Sequence, residues 1–249
     1  MPAATVVEPS TQSVDLAAAS PTAPTKILGF AYLVITLCGA LGVGVLDAGL
    51  QVDGDHLETA KNIASHGLSF RLGVFSVLII YASVLVASWA LYLTLERVDR
   101  RLSLVALLFR VAEALVGFTT MLASLMVVRL LRADGPATQL SDGEAAVWVG
   151  LLLELRTAAL DIVLFLIGVG GTTFFVLFWR ARLIPRWLAG WGIFTYLSML
   201  GLATVSMLFI DHPRAIETAL YGPGALFEGV FALWMLGKGI DKARWCRLA

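Results

Sequence analysis

The chain has 249 residues, 59% hydrophobic and 14% charged, with a mean hydropathy of +0.85 and a formal net charge of zero. Soluble domains carry roughly a quarter charged residues, so an ordinary water-soluble enzyme is excluded, and no stretch forms a basic domain of the kind that holds nucleic acid. Two cysteines, Cys38 and Cys246, lie in different surroundings and make no disulfide framework.

Residues 1–25 are rich in Ala, Pro, Ser and Thr and have no basic residue before Lys26. They read as a disordered tail that stays attached, since neither the positive start nor the apolar core of a secretory signal is present. Residues 26–249 then read as a single membrane domain, an all-α bundle of six transmembrane helices. The first span covers about 27–46, where Ala40 and Gly44 form a small-xxx-small pair suited to close helix contact. The polar stretch after it, 47–71, holds Asp53, Asp55, His56, Glu58 and His66. Their spacing matches no ligand pattern, so a solvated loop and no cofactor are expected, with metal binding by Asp53, Asp55 and His56 the open alternative. The second span, 72–95, gathers Ser76, Ser83, Ala87, Ala90 and Thr94 on one narrow face, which should point inward.

The third span, 102–128, is the most informative, because Arg110 and Glu113 interrupt an otherwise apolar run. At about 100° per residue, Ser103, Ala106, Arg110, Glu113, Gly117, Thr120 and Ser124 share one face, with bulky residues elsewhere. A charge at mid-helix costs roughly 2.5–3.5 kcal/mol on insertion scales, so this stripe must face protein or a wet cavity. Beyond the turn at Gly135 and Pro136, Asp142 and Glu144 are expected to open a helix along the surface. The fourth span, 157–179, follows. Glu154, Thr157, Gly168 and Thr172 fall within about 40° of Asp161, and Arg156 about 140° away, which predicts that Glu154 and Asp161 share a face. Gly168, Gly170 and Gly171 sit at membrane depth with no preceding strand, so they predict tight helix packing and not a nucleotide loop. The fifth span, 187–210, begins with interfacial Trp187 and Trp191; a polar loop with Asp211 and His212 leads to the sixth, 221–237, which contains Glu228.

Basic residues are distributed unevenly. The side holding the N-terminus, the connections at 96–101 and 180–186 and the C-terminus carries eleven Lys and Arg, and the other side six. The positive-inside rule then places both termini in the cytoplasm.

Several stretches carry a family resemblance: Phe70-Arg71-Leu72-Gly73, Val98-Asp99-Arg100-Arg101-Leu102, Phe109-Arg110-Val111-Ala112-Glu113, Arg182-Leu183-Ile184-Pro185-Arg186-Trp187, and Pro223-Gly224-Ala225-Leu226-Phe227-Glu228 with Lys238-Gly239 after it. On these, nearly everything after the tail resembles a bacterial six-span membrane family catalogued as a domain of unknown function, family 4386. The resemblance supports the topology, draws attention to Arg110, Glu113 and Glu228, and assigns no activity; the location expected for the chain is the inner (plasma) membrane.

A helix rise of 1.5 Å per residue puts Arg110 about 12 Å, Glu228 about 15 Å and Glu113 about 17 Å from the same flank of the membrane. One guanidinium cannot neutralise two carboxylates, so one glutamate is expected to hold its proton. Three readings follow. Arg110 bridges the glutamates as a structural clasp. Alternatively Arg110, Glu113 and Glu228 form a catalytic acid/base set of isomerase, cyclase or hydrolase type acting on a lipid-like molecule, with Asp161, Glu154, Gly117 and Thr120 touching it. Or the carboxylates serve a small proton-coupled transporter. In the latter two the partner is a membrane lipid or lipid-soluble small molecule.

Overall fold

The computed structural model describes residues 22–52, 54–132, 134–209 and 214–248. The tail through residue 21, Asp53, Asp211 and His212 lie outside them. Among the described residues the chain is helical without a strand. Five helices are long and apolar enough to cross a membrane.

The first is α1 (Thr22–Cys38), which does not continue as the regular helix expected to residue 46. It passes into nine residues of π-helix, Gly39–Asp47. Three glycines in nine positions weaken the ordinary helical preference there, and such widened turns concentrate at functional sites. The predicted solvated loop instead contains α2 (His56–Ser65). Asp55 caps it by accepting the Glu58 N–H at 2.8 Å, while Thr59, Ala60 and Ile63 turn inward. A ten-residue amphipathic segment inside a polar stretch gives too short a periodic signal to stand out.

Next come α3 (Gly67–Leu95) and α4 (Arg100–Leu130), the latter started by Asp99, whose carboxylate accepts the Leu102 N–H at 3.0 Å. The following helix, α5 (Asp142–Ala181), is one continuous element of 40 residues, where a separate surface helix and a membrane span were expected. Ser141 and Glu144 form a reciprocal capping box at its start, and no proline interrupts the run. At about 60 Å it is twice the thickness of a hydrocarbon core, and its first half also meets α2. There Gly150 receives the His56 ring of α2, and Val149 joins a small second core with Leu50, Ile63, Phe70 and Val127. The chain ends with α6 (Arg186–Leu208), α7 (Arg214–Gly237) and the short α8 (Lys242–Cys246). The described apolar part of α7, Gly224–Gly237, is shorter than a membrane span.

The six long helices form a closed ring in chain order: each packs on its sequence neighbours, and α7 returns to α1. Small residues set the close crossings. A Cβ at Gly29 of α1 would lie 2.9 Å from the Leu236 backbone nitrogen, and one at Gly168 of α5 would lie 2.9 Å from the Leu200 backbone nitrogen. Gly42 likewise lies against Ser76, as the predicted small face of the second span requires. Lys26 Nζ donates to the Leu236 carbonyl, Trp245 Nε1 to the Thr94 carbonyl at 3.0 Å, and the Asp241 N–H to the Leu183 carbonyl at 2.8 Å. The start of α1, the α3–α4 and α5–α6 turns and α8 therefore gather at one end of the ring, the terminal end. Phe30, Leu108, Leu115, Leu122, Phe194 and Leu233 face outward, while the interior combines an aromatic cluster of Phe174, Phe175, Phe178, Phe227 and Phe231 with the buried polar groups of α4.

Candidate functional site

The α4 stripe faces inward as its periodicity requires: Ser103, Ala106, Arg110, Glu113, Gly117, Thr120 and Ser124 are all buried. Arg110 is 1% and Glu113 2% exposed, and Arg110 Nη1 lies 2.6 Å from Glu113 Oε2, an ion pair one turn apart on the same helix. Ser88 of α3 holds the other edge of the guanidinium, accepting from Nε at 3.4 Å while its own hydroxyl donates to the Val84 carbonyl at 2.6 Å. Gly170 of α5 makes the space: a Cβ there would sit 3.1 Å from Arg110 Cγ and from the Ala106 carbonyl. The glycine run thus serves close packing, with Gly171 lying under the Tyr196 ring.

Across the ring, the hydroxyls of Tyr32 on α1 and Tyr196 on α6 are 3.0 Å apart, and both phenols lie within electrostatic reach of Arg110. Glu228 of α7 is half-buried. Its charge acts on Arg110, but no ion pair forms between them, so the arginine's contact carboxylate is Glu113 and not the residue from the last helix.

Beside these groups lies a cavity of about 380 Å³. Its wall is drawn from all six long helices and the π-helical segment; Thr36, Tyr81, Thr120, Arg156 and Glu228 are its polar members, set among Ile35, Val77, Ile80, Leu160 and Met199. This volume and lining suit a small, largely apolar molecule anchored by a few polar groups. Of the residues expected to touch such a molecule, Thr120 lines the cavity. Gly117 acts one step behind it, giving up its side chain to the Tyr81 ring. Asp161 is half-buried and Glu154 exposed, and neither lines the cavity, whereas Arg156 does. Asp55 is occupied as a helix cap, and no group of three or more metal-binding side chains occurs among the described residues.

Tyr32, Ser88, Tyr81 and Tyr196 were not anticipated from the sequence, and Arg156, expected about 140° from the Asp161 face, lines the cavity. The tyrosines carried a usable signal: this residue favours the membrane interface, so one placed deep in a span marks a polar interior.

Five membrane-length apolar helices and a buried ion pair beside an internal cavity define a polytopic membrane protein. The chain belongs to the family described as Domain of unknown function (DUF4386), whose profile matches residues 27–239. No curated protein and no solved structure gives a significant match.

Proposed function

We propose that this protein crosses the plasma membrane six times with both termini in the cytoplasm, and that its central cavity takes up a lipid-like molecule for acid/base chemistry. The eleven-to-six distribution of basic residues supports the orientation. One observation carries the chemistry: an apolar cavity of about 380 Å³ has Glu228 in its wall, within electrostatic reach of the buried Arg110–Glu113 pair. Two carboxyls and a fixed cation in a dry interior can divide one proton between an acid and a base, and Arg110 holds the charge of the deprotonated partner. Glu228 touches the bound molecule. Glu113, behind it, sets the electrostatic balance through Arg110. Isomerisation, cyclisation and hydrolysis each need only this proton traffic, with water as the added reactant in hydrolysis.

The test is mass spectrometry of molecules extracted from the purified protein and from the cells that express it. A bound apolar species should co-purify with wild type and with Glu228→Gln, while its processed form should disappear from Glu228→Gln cells. Filling the cavity by Val77→Trp should remove the bound species itself. Full complementation by both Glu113→Gln and Glu228→Gln would leave the ion pair as a structural clasp and withdraw the chemistry.

Proton-coupled transport is the second reading, favoured by the π-helical break in the first span, whose Gly39, Ala40 and Gly44 line the same cavity. Interrupted helices at a mid-membrane site are how many transporters hold solutes. Under this reading the co-purifying molecule leaves the cell chemically unchanged, and Glu228→Gln abolishes its movement.

A further inference from the structure

A second recess, of about 600 Å³, lies at the terminal end of the ring, away from the central cavity. It is built from the α5–α6 turn and the α7–α8 connection. Four cations line it, Arg182, Arg186, Lys238 and Arg244, against one carboxylate, Asp241. Arg244 is paired with Asp241 at 3.0 Å, which leaves Arg182, Arg186 and Lys238 without a carboxylate partner among the described residues. The recess is rigid on one side: the Asp241 N–H donates to the Leu183 carbonyl at 2.8 Å, and Trp234 Nε1 donates to the Gly239 carbonyl at 3.1 Å.

Two further observations point to a ligand. Arg182 ends α5 with φ 54° and ψ 35°, the left-handed conformation in which glycine is usual. Holding a long cationic side chain there carries backbone strain, and such strain clusters at binding sites. The rim is also tryptophan-rich. The Arg186 guanidinium lies 5.6 Å above the Trp179 ring, Lys238 Nζ 4.7 Å above Trp234, and Trp187 packs edge-on against Trp234 at 6.0 Å. Tryptophans of a membrane protein settle at headgroup depth, so these cations stand where lipid phosphates lie.

We propose that this recess binds the phosphate of an anionic phospholipid from the adjoining leaflet. Arg186 and Lys238 contact the phosphate, Arg182 approaches it from the turn, and the tryptophan faces border the glycerol. The site is independent of the chemistry assigned to the central cavity.

Delipidated full-length protein in detergent, titrated with phosphatidylglycerol, phosphatidylcholine or soluble glycerol phosphate and followed by thermal unfolding, tests it. Phosphatidylglycerol should bind at least about tenfold more tightly than the other two. Each surface cation removed near an anionic lipid weakens binding about fivefold, so Arg186→Gln with Lys238→Gln should weaken it about thirtyfold. Arg100→Gln with Arg101→Gln, at the same end but outside the recess, should stay within about twofold of wild type. An equal loss in that control, or none in the recess variant, overturns the site. Equal stabilisation by glycerol phosphate overturns the lipid assignment in favour of a soluble anion. Should the double variant not purify, native mass spectrometry of Lys238→Gln, an exposed side chain, decides: wild-type occupancy by phosphatidylglycerol overturns the proposal.

Discussion

Replacing Arg110 by Met keeps the bulk of the side chain in the α4 interface but leaves Glu113, 2% exposed, without the cation 2.6 Å away. At an effective dielectric of about 20, opposite charges some 4 Å apart attract by about 4 kcal/mol, and breaking a buried pair costs about 3–5 kcal/mol. On the scaling for soluble chains of about this length, roughly 2–4 °C per kcal/mol, the melting temperature in detergent should fall by about 6–20 °C. Glu113→Leu should cost a comparable amount, because the guanidinium then has only Ser88 and the more distant charge of Glu228. The combination Arg110→Met/Glu113→Leu removes both charges and fills their volume with apolar atoms, an exchange that is often neutral. The double variant should therefore lie well above the sum of the two losses, with a coupling of about 2 kcal/mol or more in a double-mutant cycle. Thermal unfolding followed by tryptophan fluorescence or light scattering gives the four values. Strict additivity would refute the reasoning, since it would mean that the two charges do not stabilise one another.

Gly168→Val places a side chain against the Leu200 backbone at the α5–α6 crossing and should cost about 1–3 kcal/mol, read by the same melting assay; an unchanged melting temperature would show that the crossing is loose. Tyr32→Phe strands the buried Tyr196 hydroxyl and should cost about 1–3 kcal/mol, while Tyr32→Phe/Tyr196→Phe should recover most of it; a double variant worse than either single one would refute a pairwise bond. A cysteine placed at Asp99, with Cys38 and Cys246 removed, should resist an impermeant thiol reagent added to intact cells, and labelling there would reverse the proposed orientation.

The membrane class and the inward stripe of α4 were legible because both rest on long periodic signals, and a charged residue leaves little freedom over which way it faces in a bilayer. Boundaries were less legible. The three glycines of Gly39–Asp47 weaken the helical preference without specifying a π-helical turn, and that segment packs against α3. The face of α5 expected to carry Glu154 and Asp161 assumed one inward direction along the helix, yet α5 meets α2 at its start and α4 and α6 further on. Inward is accordingly a local matter, and Arg156 with Leu160, four residues apart, reaches the cavity where Glu154 does not. Glu228 was found by depth, but its lateral separation from Arg110 depends on where α7 stands in the ring, which no single helix encodes.

Ring closure between α1 and α7 also bears on how the protein is made. In a chain inserted from its N-terminus, α1 enters the bilayer first, with Gly29 shaped for Leu236 and Tyr32 set edge-on against Phe231, both still unsynthesised. A nascent chain stopped before α7 would hold the Arg110–Glu113 pair already formed within α4, but its cavity would be an open cleft facing the bilayer. The cavity, whose wall includes Ala225 and Glu228, is thus complete only at the final step of assembly.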